Sequence, residues 1–542
     1  MSSLLADLLF PDSIHTDVSL ADVFPVRKSD TPVFRFAPSP TGFLHIGSVY
    51  TALINTLFAT KLWGSMILRI EDTDAKRKVE GSVELIISGL SQCDIHFDEW
   101  PLGPSGTDQW SHGPYTQSHR IVLYHHVIKQ LIVQGLVYPC FLTDVQLQEM
   151  RDQQTLTKSV TGVYGPYAYH RDLSLEQVQA YLDQWLPYSL RLKSHGSVTQ
   201  KMQISDLIKG NTQVGERYMD TVLLKSDGVP TYHFANVVDD HYMGVTHVLR
   251  ADERFATLPL HLQLYTVLGR KAPLFGHISP LMKVTDVGRS KLSKRDGEAG
   301  MLDYFAKGYP IDGLKDYLYN IINSWYEAWR TTHPLDDALS YPFDLHKLSP
   351  SGAILDIPKL IIICKEHMHH QSDKKLFLKT TDRVRNYRPD DVDVWLSHSE
   401  LIIAAIGIER HTLDPKRFAT YADVYDHVQM FVPVRFDRLP PVSHAALTDS
   451  VVQFVTLYRD QYHLTDTKEQ RFDHLKQLGA TLGYASTNAE YKTGNFQWKV
   501  GDLAMILRVA LCKSPQTPDL YETMCVLGAE TVSKRLEQCL LS

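Results

Sequence analysis

Residues 33–74 alternate between apolar runs and short polar breaks, in an order that predicts strand, loop, helix and strand. The apolar run at 33–37 predicts a short buried strand, which the prolines and glycine at 38–42 end in a loop. Apolar residues then recur at helical spacing over 47–63, which predicts a helix. A second strand is predicted at 65–70, closed by an acidic turn at 71–74. This order is typical of the start of a parallel α/β domain.

The middle of the chain has a mixed pattern, whereas its end is helical. Between 124 and 225, helical periodicity alternates with strand-like runs, so we expect an α+β domain inserted into the α/β domain. The predicted elements are helices at 121–134 and 175–185, a loop at 162–167, and strands at 189–193, 221–224 and 245–249. From about residue 346 the period is helical to the C-terminus, which predicts an all-helical C-terminal region.

The composition is that of an ordinary globular protein. Of the 542 residues, 44% are hydrophobic and 22% are charged, which excludes disordered and collagen-like chains. No run of about 18 apolar residues is present, so we expect no membrane span. The six cysteines are scattered without a C-x-x-C pair, which fits a reducing compartment. The first 32 residues are acidic, unlike a transit peptide, so we expect a cytoplasmic protein.

Two polar segments carry candidate chemistry. Residues 37–48, APSPTGFLHIGS, lie between the first strand and the helix, where the unpaired N–H groups of a helix start suit phosphate. Residues 288–297, GRSKLSKRDG, place four cations around two serines, which suits a clamp on polyphosphate. Taken alone, the first segment also fits a proline-rich turn with a capping histidine, and the second fits a solvated surface loop.

Together the two segments resemble the signature motifs of class I aminoacyl-tRNA synthetases, His-Ile-Gly-His and Lys-Met-Ser-Lys-Ser. Their variants in this chain, RFAPSPTGFLHIGS and KLSKR, resemble those of the glutamyl-tRNA synthetase family. Further similar segments are LRIEDTD at 68–74 and the runs at 223–253 and 507–528. The resemblance spans about 33–540 in five ordered segments, which is too many for chance similarity.

The resemblance implies a fold class: α/β, with a Rossmann-like class I synthetase catalytic domain, an inserted α+β domain and an all-helical anticodon-binding region. On this basis we expect an N-terminal extension (1–32), two catalytic halves (33–123 and 226–283), a connective acceptor-binding insertion (124–225), a stem-contact region with the KLSKR loop (284–345) and the helical anticodon-binding region (346–542).

The resemblance also implies a pocket for glutamate. Glu71 would take the α-ammonium group, and Arg35 would meet the side-chain carboxylate with a planar, bidentate guanidinium. Tyr232 and Asn236 lie one helical turn apart and would face the same ligand, while Arg250 would bind a second carboxylate. For each arginine the alternative is a surface salt bridge worth only ~0–1 kcal/mol. The residues implied for glutamate binding are Arg35, Ala37, Ser39, Glu71, Tyr232, Asn236 and Arg250.

The implied reaction is attack of the glutamate α-carboxylate on the α-phosphate of ATP, with transfer of the glutamyl group to tRNA. No side-chain nucleophile is needed, since positioning and charge stabilisation suffice, with Mg²⁺ bridging the phosphates. Ser48 stands where the motif usually has a second histidine. The residues implied for ATP are His45, Gly47, Ser48, Glu253, Met282 and Lys294, and the catalytic ones are His45, Lys291 and Lys294.

No structural zinc is expected. Some family members carry a zinc site in the insertion, opened by Cys-x-Cys, but here only Cys140 stands at the corresponding place, and the downstream YAYH at 167–170 offers no cysteine. The histidine-rich run at 367–370 lacks an evident carboxylate or cysteine partner in sequence, so we expect it to be a solvated helix face.

A local excess of positive charge indicates which part of the chain would bind tRNA. The chain has a net charge of −7, yet residues 346–389 hold nine lysines and arginines against four acids, a local +5 that suits a phosphate backbone. The run at 360–363, LIII, departs from the Trp-Met-Asn-like run of relatives. The implied partners are L-glutamate and tRNA(Glu), with tRNA(Gln) left open as a second acceptor, and we expect a monomer.

Three alternatives compete with this interpretation. A glutaminyl-tRNA synthetase favours Asp at the place of Glu71 and ends in two β-barrels, whereas the C-terminal half here is helical in pattern. A glutamyl-queuosine tRNA synthetase lacks the anticodon region, and 542 residues are too many for it. A catalytically dead tRNA-binding paralogue would not need to keep His45, Glu71, Arg250 and Lys294 together.

Overall fold

The computed structural model describes most of the chain. The described residues are 2–10, 23–28, 30–42, 44–74, 77–101, 112–286, 288–292, 300–410, 417–439, 449–492, 496 and 498–541. They fall into two compact units, one formed by 1–302 with 318–355 and one by 303–317 with 356–542. Each unit has its own hydrophobic core.

The first unit is α/β. Its strands are β1 (Val33–Phe36), β2 (Ser65–Leu68), β3 (Val137–Cys140), β4 (Ser189–Leu192), β5 (Lys201–Asp206), β6 (Gly210–Gly215), β7 (Val222–Leu224), β8 (His247–Ala251), β9 (Leu274–Ile278), β10 (Met282–Thr285) and β11 (Gly288–Lys291). The helices up to residue 332 are α1 (Ser2–Leu9), α2 (Ile46–Lys61), α3 (Ser82–Gln92), α4 (Ile121–Val133), α5 (Asp144–Leu156), α6 (Leu175–Asp183), α7 (Tyr232–Tyr242), α8 (Leu258–Val267), α9 (Met301–Lys307), α10 (Ile311–Ile322) and α11 (Trp325–Thr332). Helices α9 and α10 contribute residues to both units.

The main sheet has the strand order β2-β1-β8-β9-β5-β6. Strands β1, β2, β8, β9 and β5 pair in parallel, whereas β6 is antiparallel to β5. From β1 the chain runs through α2 to β2 on one side, while β8 pairs with β1 on the other. In open parallel sheets, such a switch in strand order leaves a crevice at the carboxyl ends of the strands, where ligands bind.

The segment predicted as an insertion contributes to two sheets. Strands β3, β4 and β7 form a separate antiparallel sheet with helices α5 and α6 nearby in sequence. The β5–β6 hairpin instead joins the main sheet, because Asp206 at the end of β5 pairs with Phe275 of β9. Its alternating exposed positions do not reveal this pairing, since it depends on a strand about 70 residues further along.

The N-terminal residues described here belong to the core of the first unit. Helix α1 packs against α4, with Ala6 and Leu9 buried. Phe24 is buried in the same cluster, and the Arg120 guanidinium lies 5.3 Å from its ring centroid. Hydrophobic burial of this kind makes Ala6, Leu9 and Phe24 part of the packing of the first unit.

The regular elements described in the second unit are helices, apart from an isolated bridge between Ala485 and Lys499. Its further helices are α12 (Ile357–His369), α13 (Asp373–Tyr387), α14 (Val392–Ser397), α15 (Ser399–Gly407), α16 (Tyr421–Val428), α17 (Pro433–Phe436), α18 (Asp449–Asp460), α19 (Lys468–Thr481), α20 (Asn488–Tyr491), α21 (Val500–Cys512) and α22 (Leu520–Leu541). Helix α22 is kinked at Gly528, whose φ of +76° suits glycine.

The fold class expected from the sequence is confirmed: a parallel α/β unit is followed by a helical C-terminal region. The strand, helix, strand order predicted for 33–70 appears as β1, α2 and β2. Of the helices described, none combines the length and the apolarity that a bilayer crossing requires.

Candidate active site

A cavity of about 660 Å³ opens at the carboxyl edge of the main sheet in the first unit. Its walls come from the ends of β1, β8 and β9, the start of α2, helix α7 and the end of β11. This is the switch point of strand order, as expected for a parallel sheet. Predicted site residues that line it are Arg35, Ala37, Ser39, His45, Gly47, Ser48, Glu71, Tyr232, Asn236, Arg250, Glu253 and Lys291.

His45 begins helix α2 as its N-cap. Its backbone is extended, and Nδ1 accepts a hydrogen bond from the Gly47 N–H at 2.9 Å. Because Nδ1 is an acceptor, the proton of the neutral ring is on Nε2, which makes Nε2 a donor. A Cβ added to Gly47 would lie 3.1 Å from Nδ1 of His45, so glycine keeps this cap in place. The helix start thus offers the positive end of its dipole and a ring donor to an anion.

Glu71 follows β2 and is buried in the cavity wall. It accepts hydrogen bonds from Nδ2 of Asn236 at 2.6 Å and from Arg69 at 3.3 Å. Burial raises the pKa of Glu71, while the Arg69 and Arg35 guanidiniums and the Asn236 amide oppose that shift. Within the described part of the chain, Oδ1 of Asn236 has no hydrogen-bond partner. These two side chains together offer acceptors to a small cation.

Two arginines of the cavity are only weakly engaged by acidic groups. Arg35 is 3% exposed and donates from Nε to Asp240 at 3.4 Å, a long contact. Arg250 donates to two histidines and a backbone carbonyl, and among the residues described no carboxylate forms an ion pair with it. Buried arginines normally pair with carboxylates, so these two favour an anionic ligand.

The second predicted motif is described only up to Leu292. Lys291 ends β11 and forms an ion pair with Glu253, and both side chains are about half exposed at the cavity rim. Lys294 lies outside the described residues, so its predicted role stays a prediction. The residues flanking the undescribed segment 293–299 are both at the site: Leu292 lines the cavity, and Gly300 pairs with His45.

Met282 is not among the described residues that line the cavity, although its neighbour Leu281 is. Its backbone pairs with Lys291 across the β10–β11 hairpin. Its side chain lies against Gly352, where an added Cβ would approach Met282 Cγ to 2.6 Å. The predicted contact of Met282 with ATP therefore has no support from the cavity walls and stays a prediction.

An acidic cluster that the sequence patterns did not indicate lies behind the pocket. Arg69 is fully buried and binds Asp240 at 2.6 Å, with Asp239 at 3.8 Å. Asp239 also accepts from Arg120, Gln117 and Tyr124. The available signal in the sequence was the pair Asp239 and Asp240 at the end of an apolar helical run. Carboxylates in such a run are expected to be buried, and buried carboxylates require cationic partners. This cluster anchors helix α7, which carries Tyr232 and Asn236.

The comparison with known proteins decides the family. The profile described as "tRNA synthetases class I (E and Q), catalytic domain" matches residues 33–321, and one described as "Anticodon binding domain" matches 415–540. A glutamate–tRNA ligase of Acetivibrio thermocellus is 36% identical over 99% of each chain. This chain belongs to the class I tRNA synthetases of the E and Q group. The resemblance drawn from the sequence motifs is confirmed.

Further relatives of this synthetase agree. A glutamate–tRNA ligase of Sorangium cellulosum is 34% identical over 94% of both chains. The crystal structure of a glutamate tRNA ligase from Elizabethkingia meningosepticum, in complex with its amino acid, has a TM-score of 0.74 at 26% identity and covers 95% of this chain and 100% of that one. The similarity thus extends over both units of the synthetase and includes its N-terminal residues.

In the insertion of this synthetase, Cys140 is a buried residue of β3. His170 accepts the Phe141 N–H through Nδ1 at 3.1 Å, and Phe141 stacks on Tyr181 with ring centroids 4.8 Å apart. Across the described residues no cluster of three His, Cys, Asp or Glu side chains suits a metal ion. The absence of a structural zinc stays a prediction.

The histidine run at 367–370 departs from the expected solvated face. His367 Nε2 lies 2.5 Å from a carboxylate oxygen of the buried Asp316. His370 pairs with Glu366 one turn earlier on α12 at 3.1 Å. The interpretation of the run as lacking a carboxylate was wrong, because Asp316 is brought to it by a helix 51 residues away in sequence.

Proposed function

We propose that this synthetase is a glutamate–tRNA ligase, which joins L-glutamate to tRNA through a glutamyl-adenylate and releases AMP and diphosphate. The observation that carries the proposal is the pairing of charges in one cavity. A buried carboxylate with an unsatisfied amide oxygen suits an ammonium group, and two arginines suit two carboxylates. Free glutamate carries this set of charges at neutral pH.

Each end of the amino acid has a candidate partner. Glu71 and Oδ1 of Asn236 would accept the α-ammonium group, and Arg250 would bind the α-carboxylate. Arg35 would bind the side-chain carboxylate, with Tyr232 as a neutral neighbour, and Ala37 and Ser39 line the same wall. Holding both reactants in one cavity reduces the entropic cost of the attack.

ATP would occupy the part of the cavity formed by the start of α2. His45 Nε2–H would donate to phosphate oxygens at the positive end of the helix dipole, beside Gly47 and Ser48. Glu253 and Lys291 stand on the same rim. Lys294 is proposed as a second cation for the phosphate charge that grows in the transition state. This assignment rests on the sequence motif.

Mg²⁺ is proposed as the companion of ATP. The described residues offer no group of three acidic, histidine or cysteine side chains that could hold a metal by themselves. This suits a cation held mainly by substrate phosphates and water, as Mg²⁺ commonly is. When bound, it would neutralise part of the phosphate charge.

The decisive experiment compares amino acids and tRNAs. We expect ATP–diphosphate exchange to depend on glutamate and not on glutamine when tRNA is present, and purified tRNA(Glu) to be charged. Charging of tRNA(Gln) in a parallel reaction would extend the acceptor set. Exchange with glutamine alone, or with no amino acid at all, would contradict the proposed function.

We further propose that the protein is cytoplasmic and monomeric. Light scattering on the purified chain would test the oligomeric state.

Glutamate binding should weaken in acid because Glu71 must be ionised to hold an ammonium group. Its pKa is raised by burial, so protonation sets in at a higher pH than for an exposed glutamate. We expect the KM for glutamate to rise as the pH falls towards that pKa, while the KM for ATP changes less. Glu71→Gln should have a high KM at every pH and lose this dependence. A wild-type KM that stays flat into the acid range would contradict the role.

The basic segment 346–389, with its local charge of +5, is proposed to bind tRNA phosphates. Helix α13 buries Leu376 and Phe377 and exposes Lys374, Lys375 and Lys379 on its other faces. Binding of tRNA should weaken as salt rises, and replacing the three lysines by glutamine should flatten the slope of log affinity against log salt by up to about 3. The matched arginine triple variant keeps the charge and should keep the slope. Equal slopes in the wild-type and glutamine proteins would assign these lysines to ordinary surface.

A further inference from the structure

The Arg250 guanidinium is held in the cavity wall by neutral acceptors. Nε donates to Nε2 of His277 at 3.0 Å, and one Nη group donates to Nδ1 of His261 at 3.3 Å. The other Nη group donates to the carbonyl of Arg254 at 3.2 Å, and the ring of Phe275 lies 5.2 Å away. In the part of the chain that the structure describes, these contacts include no ion pair. Three of the five N–H donors of the guanidinium are engaged in these bonds, and no carboxylate of the described residues forms an ion pair with it.

The hydrogen bonds fix where each histidine carries its proton. Nδ1 of His277 lies 2.6 Å from Oδ2 of the buried Asp206, so Nδ1–H donates and Nε2 keeps its lone pair for Arg250. Nε2 of His261 lies 3.0 Å from Nδ1 of His233, so His261 donates there and accepts from Arg250 through Nδ1. Burial lowers the pKa of all three histidines, to about 4 for His233, which favours the neutral rings.

We propose that Asp206, His277 and His261 are positioning residues, which orient Arg250 and leave its full charge to a carboxylate of the amino-acid substrate. This inference rests on the proposed function, because it takes glutamate as the ligand. A carboxylate in the place of either histidine would hold the guanidinium as well but would neutralise it. Arg69 shows that alternative within the same unit, since Asp240 and Glu71 bind it and it is fully buried.

Replacing Asp206 by asparagine tests the proton positions. Oδ1 of Asp206 accepts the N–H groups of Ile208 and Lys209 at 2.9 Å each, so the amide oxygen should stay there and the NH₂ group should face Nδ1 of His277. The ring proton would then move to Nε2, opposite the Nε–H of Arg250. For Asp206→Asn we expect the KM for glutamate to rise about tenfold or more, with the KM for ATP within about twofold of wild type.

Replacing His261 tests whether a neutral partner must leave the charge of Arg250 available to the substrate. His261→Gln and His261→Glu insert side chains of equal length, of which only glutamate can neutralise Arg250. We expect the glutamate variant to raise the KM for glutamate about tenfold or more, and the glutamine variant to stay within about threefold of wild type. His241→Gln replaces a half-buried histidine of α7 that makes none of these contacts and serves as the control. A purely structural role would treat the two His261 variants alike.

The outcomes separate this inference from the proposed function. Wild-type protein that shows no glutamate-dependent ATP–diphosphate exchange, with tRNA present, would overturn the proposed function. Active wild type with an unchanged glutamate KM in Asp206→Asn would overturn the inference alone, as would equal KM values for the two His261 variants. Thermal melting identifies variants that do not fold. If His261→Glu does not fold, the glutamate KM of Asp206→Asn alone tests the inference, because that variant preserves size and polarity.

Discussion

Replacing His45 by asparagine is expected to slow the formation of glutamyl-adenylate by ~10²–10³-fold, the usual cost of one donor to transition-state charge. Nδ1 of His45 caps helix α2 by accepting the Gly47 N–H, while Nε2–H is the group proposed to meet phosphate. Asparagine is among the best N-cap residues, so His45→Asn should keep the cap and lose only the distal donor. Single-turnover measurement of adenylate formation gives the rate directly.

The alanine variant is the matched control for the cap. His45→Ala loses both functions, so it should match the asparagine variant in rate and also unfold more easily, by ~0.5–2 kcal/mol. Urea titration of the three proteins measures this difference in the free energy of unfolding. Adenylate formation at the wild-type rate in His45→Asn would remove the ring from the mechanism and leave His45 as a helix cap.

Replacing Arg35 by glutamine is expected to raise the KM for glutamate about 10- to 150-fold, because a hydrogen bond to a charged group contributes ~1.5–3 kcal/mol. The variant should not leave a buried carboxylate unpaired, because Asp240 keeps its 2.6 Å bond to Arg69 and gives up only the 3.4 Å contact with Arg35. The KM for ATP should stay nearly unchanged. Diphosphate exchange at varied glutamate and ATP measures both constants.

The preference for glutamate over glutamine is the second readout of this variant. Without the guanidinium, a neutral amide and a carboxylate would meet the same neutral pocket, so discrimination should shrink. Arg250→Gln is the internal control, since a contact with the α-carboxylate should weaken both amino acids alike. If Arg35→Gln keeps the preference and Arg250→Gln loses it, the side-chain carboxylate is bound by Arg250 and the two assignments exchange.

The amino-acid sequence was enough to indicate the family, the parallel start of the catalytic domain and many of the polar and charged side chains in the cavity wall. Local periodicity sufficed for β1, α2 and β2, because strand and helix patterns are set by near neighbours. The motif around His45 was found because a loop between a predicted strand and a predicted helix lies at the carboxyl edge of a parallel sheet. The other residues of the pocket, such as Arg35 and Arg250, were implied by the family resemblance. Met282 was implied in the same way, but no described wall of the cavity includes it.

Which of the buried charges are neutralised depends on contacts between distant parts of the chain. Arg69 and Arg250 look alike in sequence, yet Arg69 is bound by Asp240, 171 residues away, while Arg250 faces histidines. The same holds for Asp206, which reaches His277 only because β5 joins the main sheet beside β9. Ion pairing depends on distance in space, and local sequence patterns contain no information about contacts between strands and helices far apart in the chain.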